Sequence, residues 1–260
     1  MDDAPPPAVV VTGGAKRIGA AIVRAFADAG WRVIVHYGHS ADEAESLAAS
    51  LPNANAIHCD LMDSNAVSEF AGMLAARLPD WRVLINCASV FEPDSVTDID
   101  IDVFRRALRV NAAGPARLAQ IFLARGQSAG GKRVINLTDQ KIANPNPDFF
   151  SYTMSKHALA STIPMLAQLR EKGGAAAPDD RVYGLAPGAI LPSHDQSPEE
   201  AEASHRLNLL ERRTGSDEIA DACLWLAEGW LASGQTLFVD SGQHLLAQPR
   251  DVIYLARAEA

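Results

Sequence analysis

The chain has 260 residues, 48% hydrophobic side chains and a formal net charge of −9, a globular composition with enough apolar material for a sizeable core. The acidic balance, with no basic cluster, is a poor electrostatic match for nucleic acid or an anionic membrane. Cys59, Cys87 and Cys223 lack metal-ligand spacing, "MDDAPPP" is no signal peptide, and no apolar run would span a bilayer, so the expectation is a cytoplasmic, metal-free protein with reduced thiols.

Taken in order, short apolar runs alternate with longer helical patterns. "AVVVT" (8–12) predicts a strand and is followed by a helix over 17–29. "RVIVHY" (32–37) precedes a helix over 41–51, "NAIHC" (55–59) one over 63–78, and "RVLIN" (82–86) a single helix over about 100–125. "KRVINL" (132–137) precedes a long helix from near Phe150, in which Pro164 should cause a kink or shift the start. "RVYGLA" (181–186) and "QTLFVD" (235–240) are the last strands, with two helical stretches between them. Near-continuous apolar strands suit a sheet covered on both faces, and strict alternation argues for parallel pairing. The fold class is therefore α/β: a Rossmann-like doubly wound parallel sheet of about seven strands, in one domain spanning 1–260. "KGGAAAPDD" (172–180) is the best surface loop, 189–210 is an insertion of the kind that forms substrate lids, and 247–260 is a tail that either packs on a neighbour or is loosely attached.

"VVVTGGAKRIGAAIV" (9–23) places Gly13 and Gly19 between the first strand and first helix, where a dinucleotide-binding fold turns its backbone toward a pyrophosphate. The spacing is neither G-x-G-x-x-G nor a P-loop, so a plain tight turn is the bland alternative. The second strand ends in His36, Tyr37, Gly38, His39 and Ser40. An NAD-preferring site carries an acid there; here the balance is cationic or neutral, and Arg17 offers a planar fork to phosphate. These residues point to NADPH, unless the histidines merely end a strand.

Tyr152 and Lys156 lie one turn apart on one helix face. An ammonium beside a phenol should lower the phenol's pKa and make it a usable acid or base. With "TGGAKRIG" (12–19), "DL" (60–61), "NCAS" (86–89), "VNAAG" (110–114), "YTMSK" (152–156), "APG" (186–188) and "VDSG" (239–242) in order, the chain resembles the short-chain dehydrogenase/reductase family over about residues 8–246. The resemblance implies a proton-relay core of Asn111, Tyr152 and Lys156. It also implies cofactor contacts at Gly13, Arg17, Ile18 and Gly19, at Asp60 and Leu61 beside the adenine, at Asn86, Ala88 and Ser89 along the cofactor, and at Pro187, Gly188 and Ile190 near the nicotinamide. A homotetramer is a further implication.

Most members of that family carry a serine thirteen residues before the tyrosine, where this chain has Asp139. An ionised carboxylate only accepts hydrogen bonds. Facing an oxyanion about 4 Å away, the ionised form would raise the barrier by roughly 4 kcal/mol, about a thousandfold in rate, so ordinary ketone reduction is disfavoured unless Asp139 stays protonated. A nitrogen heterocycle with ring N–H donors, or one needing a proton on nitrogen, turns the same group into an asset. Together with Arg17, "HYGHS" and "NCASVF", the exception resembles the pteridine reductase branch, including the bacterial dihydromonapterin or dihydrofolate reductase type, whose short acid-bearing loop after the proline matches "APGAILPSHD" (186–195). That resemblance implies a pterin or folate substrate contacted by Arg17, Ser89, Phe91, Asp139 and Tyr152, with Phe91 stacking on the ring. The alternatives are a short-chain carbonyl reductase acting on a ketone, sugar or 3-oxoacyl group, and an NADP-binding sensor without activity.

Overall fold

The computed structural model describes residues 5–170, 179–193 and 196–258. Seven strands form one parallel sheet in the order β3-β2-β1-β4-β5-β6-β7. They are β1 (Ala8–Thr12), β2 (Arg32–Tyr37), β3 (Ala54–His58), β4 (Trp81–Asn86), β5 (Arg133–Leu137), β6 (Arg181–Pro187) and β7 (Thr236–Val239). The order reverses between β1 and β4, so the turns after these two strands face one crevice, where α/β sheets bind their ligands.

Strand alternation divides the core in two. Val9, Val11, Val33, Val35 and Ile85 point to one face, where α1 (Arg17–Asp28) contributes Ile22, Val23 and Phe26, and α8 (Ser216–Glu228) contributes Ile219, Cys223 and Leu226. Val10, Ile34, Leu84 and Val134 point to the other, against Phe70 and Leu74 of α3 (Ser64–Arg77), Leu118 and Phe122 of α5 (Gly114–Arg125) and Ile163 of α6 (Phe150–Ala167). The remaining helices are α2 (Ala41–Ala49), α4 (Ile101–Leu108), α7 (Pro198–His205) and α9 (Val252–Ala258).

The helical run expected over 100–125 is continuous over 101–125, with one π turn, Arg109–Ala113, between α4 and α5. Pro115 has no N–H for the Asn111 carbonyl one helical turn back, and the local widening to a π turn lets Gly114 donate to the Arg109 carbonyl instead. Pro164 neither shifts the start of α6 nor stops it, for the helix ends only at Ala167 with the proline in its last turn. The N-terminus of α6 is capped from a distance. Asp94, in the loop after β4, accepts from the Ser151 backbone N–H and hydroxyl, while Phe149 takes a left-handed conformation (φ 52°) and donates its N–H to the Asp94 carbonyl at 2.9 Å. This cap fixes the helix that carries Tyr152 and Lys156. The loop 172–180 falls mainly outside the described residues, as do His194 and Asp195 of the segment after β6.

Candidate active site

The crevice begins at Thr12, the last residue of β1. Its hydroxyl accepts from the backbone N–H of Cys87 and of Ala88 at 3.0 and 3.1 Å, tying the turn after β1 to the turn after β4. Gly13 has φ +63°, and a Cβ there would lie 2.7 Å from the Ala88 backbone; a Cβ on Gly19 would run into the Gly13 carbonyl. These glycines therefore bring two backbones together at the start of α1, the arrangement a pyrophosphate needs. Arg17 also has positive φ, 53°, and its guanidinium donates to the carbonyls of Pro192 and Leu191 at 3.1 and 3.4 Å, bridging the turn to the segment after β6.

At the chemical end, Tyr152 Oη donates to Asp139 Oδ2 at 2.6 Å. Asp139 Oδ1 accepts from the Lys141 backbone N–H at 2.9 Å, which starts a 3₁₀ turn at Gln140–Ile142. Lys156 Nζ donates to the Leu137 carbonyl at 2.8 Å and lies 5.6 Å from the Tyr152 ring centroid. Burial pushes the Asp139 carboxyl above the usual carboxylate range, against the pull of Lys141. Burial and then the Asp139 charge push the Tyr152 phenol well above its ordinary value. This corrects the expectation that Lys156 lowers the phenol. Lys156 is itself buried, which lowers its own pKa, and its ammonium is spent on a main-chain carbonyl. Tyr152 is therefore a protonated donor, and Asp139 and Tyr152 titrate as one coupled pair.

One cavity of about 380 Å³ gathers most of the predicted residues: Gly13, Arg17, Ile18, Gly19, Ala88, Ser89, Phe91, Asp139, Tyr152, Lys156, Pro187, Gly188 and Ile190. Phe91 stacks on Phe149 with ring centroids 4.1 Å apart and meets Tyr152 edge-on at 4.7 Å. Other predicted residues lie elsewhere. His36 is buried; its Nδ1 accepts from the Gly13 N–H at 3.1 Å and its Nε2 donates to the Cys59 carbonyl at 3.0 Å. Burial lowers its pKa to about 4, so it is a neutral brace for the glycine turn. Asn86 is likewise buried, donating to Asn136 Oδ1 at 2.8 Å across the sheet. Asn111 donates to the Val90 carbonyl and the Ser155 hydroxyl, both at 2.9 Å, and accepts from the Val90 N–H at 2.8 Å. Its amide holds the loop that carries Phe91. Tyr37, exposed His39, Ser40, exposed Asp60 and buried Leu61 do not line the cavity. Tyr37 lies against His58 with ring centroids 5.5 Å apart, and Asp60 accepts from the Met62 N–H at 2.8 Å.

Several cavity residues escaped the sequence reading. Gln243 Oε1 accepts from the Ala189 N–H at 2.9 Å and braces the Pro187–Gly188 turn. Gln196 and His205 line the far side, and Asp251, Val252 and Ile253 come from the tail. The tail packs on its own chain: Ile253 and Tyr254 cluster with Phe149 and Tyr152. Gln196 and His205 fall in the 189–210 insertion that the sequence marked as a segment, and the tail in its apolar pattern, but none of these residues was marked individually.

The comparisons agree with this architecture. A family model described as enoyl-(acyl carrier protein) reductase matches residues 13–244. Short-chain dehydrogenase reductase 5 of Arabidopsis thaliana is 31% identical over 252 residues, covering 90% of this chain and 93% of that protein. Dihydromonapterin reductase of Citrobacter koseri is 25% identical over 239 residues, covering 91% and 96%. The crystal structure of FolM alternative dihydrofolate reductase 1 from Brucella canis, complexed with NADP, superposes with a TM-score of 0.85 at 34% identity, covering 94% of this chain and 96% of that one.

Proposed function

The chain belongs to the short-chain dehydrogenase/reductase family, and we propose that within it the protein is an NADPH-dependent pterin reductase that reduces a C=N bond of a pterin, dihydropterin or dihydrofolate ring. The observation that carries this reading is the 2.6 Å hydrogen bond between Tyr152 and Asp139. The likeness to proteins named dihydromonapterin reductase and alternative dihydrofolate reductase supports it.

The Gly13–Gly19 turn and the braced Pro187–Gly188 turn fit a dinucleotide, since side chains at Gly13, Gly19 or Gly188 would collide with what faces them. NADPH bound there supplies the hydride. The chain's own residues handle the proton. A ring nitrogen that has just lost its double bond is strongly basic and takes the Tyr152 proton. A lone tyrosinate left beside an ionised Asp139 would face a like charge in a buried site, which is costly. If the pair enters with both protons, Asp139 returns its proton to Tyr152 as Tyr152 releases its own. One proton leaves, and one negative charge stays on the carboxylate. The raised pKa of Asp139 favours that starting state. Lys156 fixes the end of β5 under the pair. Phe91 stacks on Phe149 and is 37% exposed, leaving part of its ring for a flat bicyclic substrate.

A carbonyl reductase is the second reading, favoured by the intact Tyr152 and Lys156. The deciding experiment follows NADPH and NADH oxidation with dihydrobiopterin, dihydromonapterin and dihydrofolate beside a panel of ketones, sugars and 3-oxoacyl thioesters. Turnover of at least one pterin, with NADPH preferred, is expected. Turnover confined to carbonyl substrates would replace this reading by the second.

A further inference from the structure

The family match ends at residue 244, yet the cavity continues into residues 251–253. Asp251 is buried, and its Oδ2 meets Lys141 Nζ at 2.5 Å in an ion pair between two side chains less than a tenth exposed. Lys141 is the residue whose N–H holds Asp139. Its ammonium also donates to Asn146 Oδ1 at 3.4 Å and to the Asp148 carbonyl at 3.3 Å, and lies 5.1 Å from the Phe149 ring centroid. The tail is anchored further by Asp148, which accepts from the Asp251 N–H at 2.8 Å and from Arg250 Nε at 2.7 Å.

We infer that the C-terminal segment is a working part of the reaction site, in which Asp251 and Lys141 act as positioning residues that hold Asp139 against Tyr152. A buried ion pair is a weak device for stability, because desolvation offsets the attraction. It is a strong device for register, because each charge must meet the other. Here the register it fixes is that of the 3₁₀ turn carrying the proton-donating pair. It also sets the charge that the pair feels. The charged or ionisable groups facing Asp139 and Tyr152 are Lys141, Lys156 on α6, Cys87 after β4, and Asp251 before α9. Asp251 pairs with one of these two cations, Lys141.

The inference rests on Asp139 and Tyr152 being the proton donors, so its test needs no substrate. In ¹³C-aspartate-labelled protein, the Asp139 carboxyl resonance is assigned by its loss in Asp139→Asn and titrated. Asp251→Asn frees the Lys141 charge and should lower the Asp139 midpoint by about one pH unit. Lys141→Gln leaves Asp251 uncompensated and should raise it, and the double variant should fall between. The alkaline limb of kcat/KM, on whichever substrate turns over, should move in the same directions, and Lys141→Arg should restore most of kcat. If folded Asp251→Asn and Lys141→Gln proteins, checked by circular dichroism, both leave the midpoint within 0.2 pH units of wild type, the inference is overturned and the pair is only a staple. Midpoints that move as expected in a protein with no pterin turnover would retain the inference and remove the substrate assignment alone.

Discussion

Asp139 stands where a hydroxyl donor is usual in this family, and its surroundings give it a donor's role by another route. Buried against Tyr152, its carboxyl holds its proton to higher pH than an exposed carboxyl does. The sign follows by linkage. A carboxyl whose folded pKa is raised gives a folded state that binds the proton more tightly than the unfolded one. Its contribution is neutral below the unfolded pKa and becomes a penalty as pH rises toward the folded pKa. Asp139→Asn should therefore raise the melting temperature at pH 8 while leaving it nearly unchanged at pH 3, and should lower kcat on a pterin by about a hundredfold or more. Differential scanning calorimetry and initial rates check the two halves. Phe91→Ala should raise KM for the pterin roughly 2- to 12-fold through lost stacking, with a small change in kcat. The sequence made Asp139, Tyr152 and Phe91 visible because they sit within or beside short motifs. It could not show that Lys156 faces the Leu137 carbonyl, because that depends on where β5 ends beneath α6.

Among the elements, β2 shows why the cofactor end was only partly legible. Strand alternation sends His36 inward and His39 beyond the strand end, but a histidine at a strand terminus reads the same whether it braces or binds. His36 braces, with Gly13 on one nitrogen and Cys59 on the other. Its folded pKa of about 4 lies below the unfolded 6.5, so its stabilising contribution is complete above pH 6.5 and is lost as pH falls toward 4. The gap between 6.5 and about 4 is worth roughly 3 kcal/mol. Urea melts should show stability falling across that window, and the fall should be shallower in His36→Gln, even though that variant is less stable overall. The π turn before α5 was legible in principle, since Pro115 leaves the Asn111 carbonyl without its usual helical partner. The spacing of apolar residues across 100–125 concealed it. For the turn after β1, Gly19→Ala should abolish NADPH binding measured by cofactor fluorescence, because the added methyl would displace the Gly13 carbonyl.

Over the whole molecule, the doubly wound sheet was legible because most strands are apolar along their length and strands alternate with helices. The order β3-β2-β1-β4-β5-β6-β7 then brings the turns after β1, β4, β5 and β6 into one crevice. The tail was not legible in the same way. Its tie to the site runs from Asp251 to Lys141, residues far apart in sequence and outside any shared motif. Pair contacts of this kind exist only after folding. The tail's apolar residues served equally well for packing on a neighbour, and in the structure Ile253 and Tyr254 lie against Phe149 and Tyr152 of the same chain.

The central claim is that a carboxyl at position 139 selects nitrogen heterocycles over carbonyl compounds, and the ratio of kcat/KM on the best pterin to that on the best carbonyl substrate, compared between wild type and Asp139→Ser, tests it most directly. The account predicts that the substitution lowers this ratio at least a hundredfold, by weakening pterin reduction and strengthening carbonyl reduction. A ratio that stays constant or rises would contradict it.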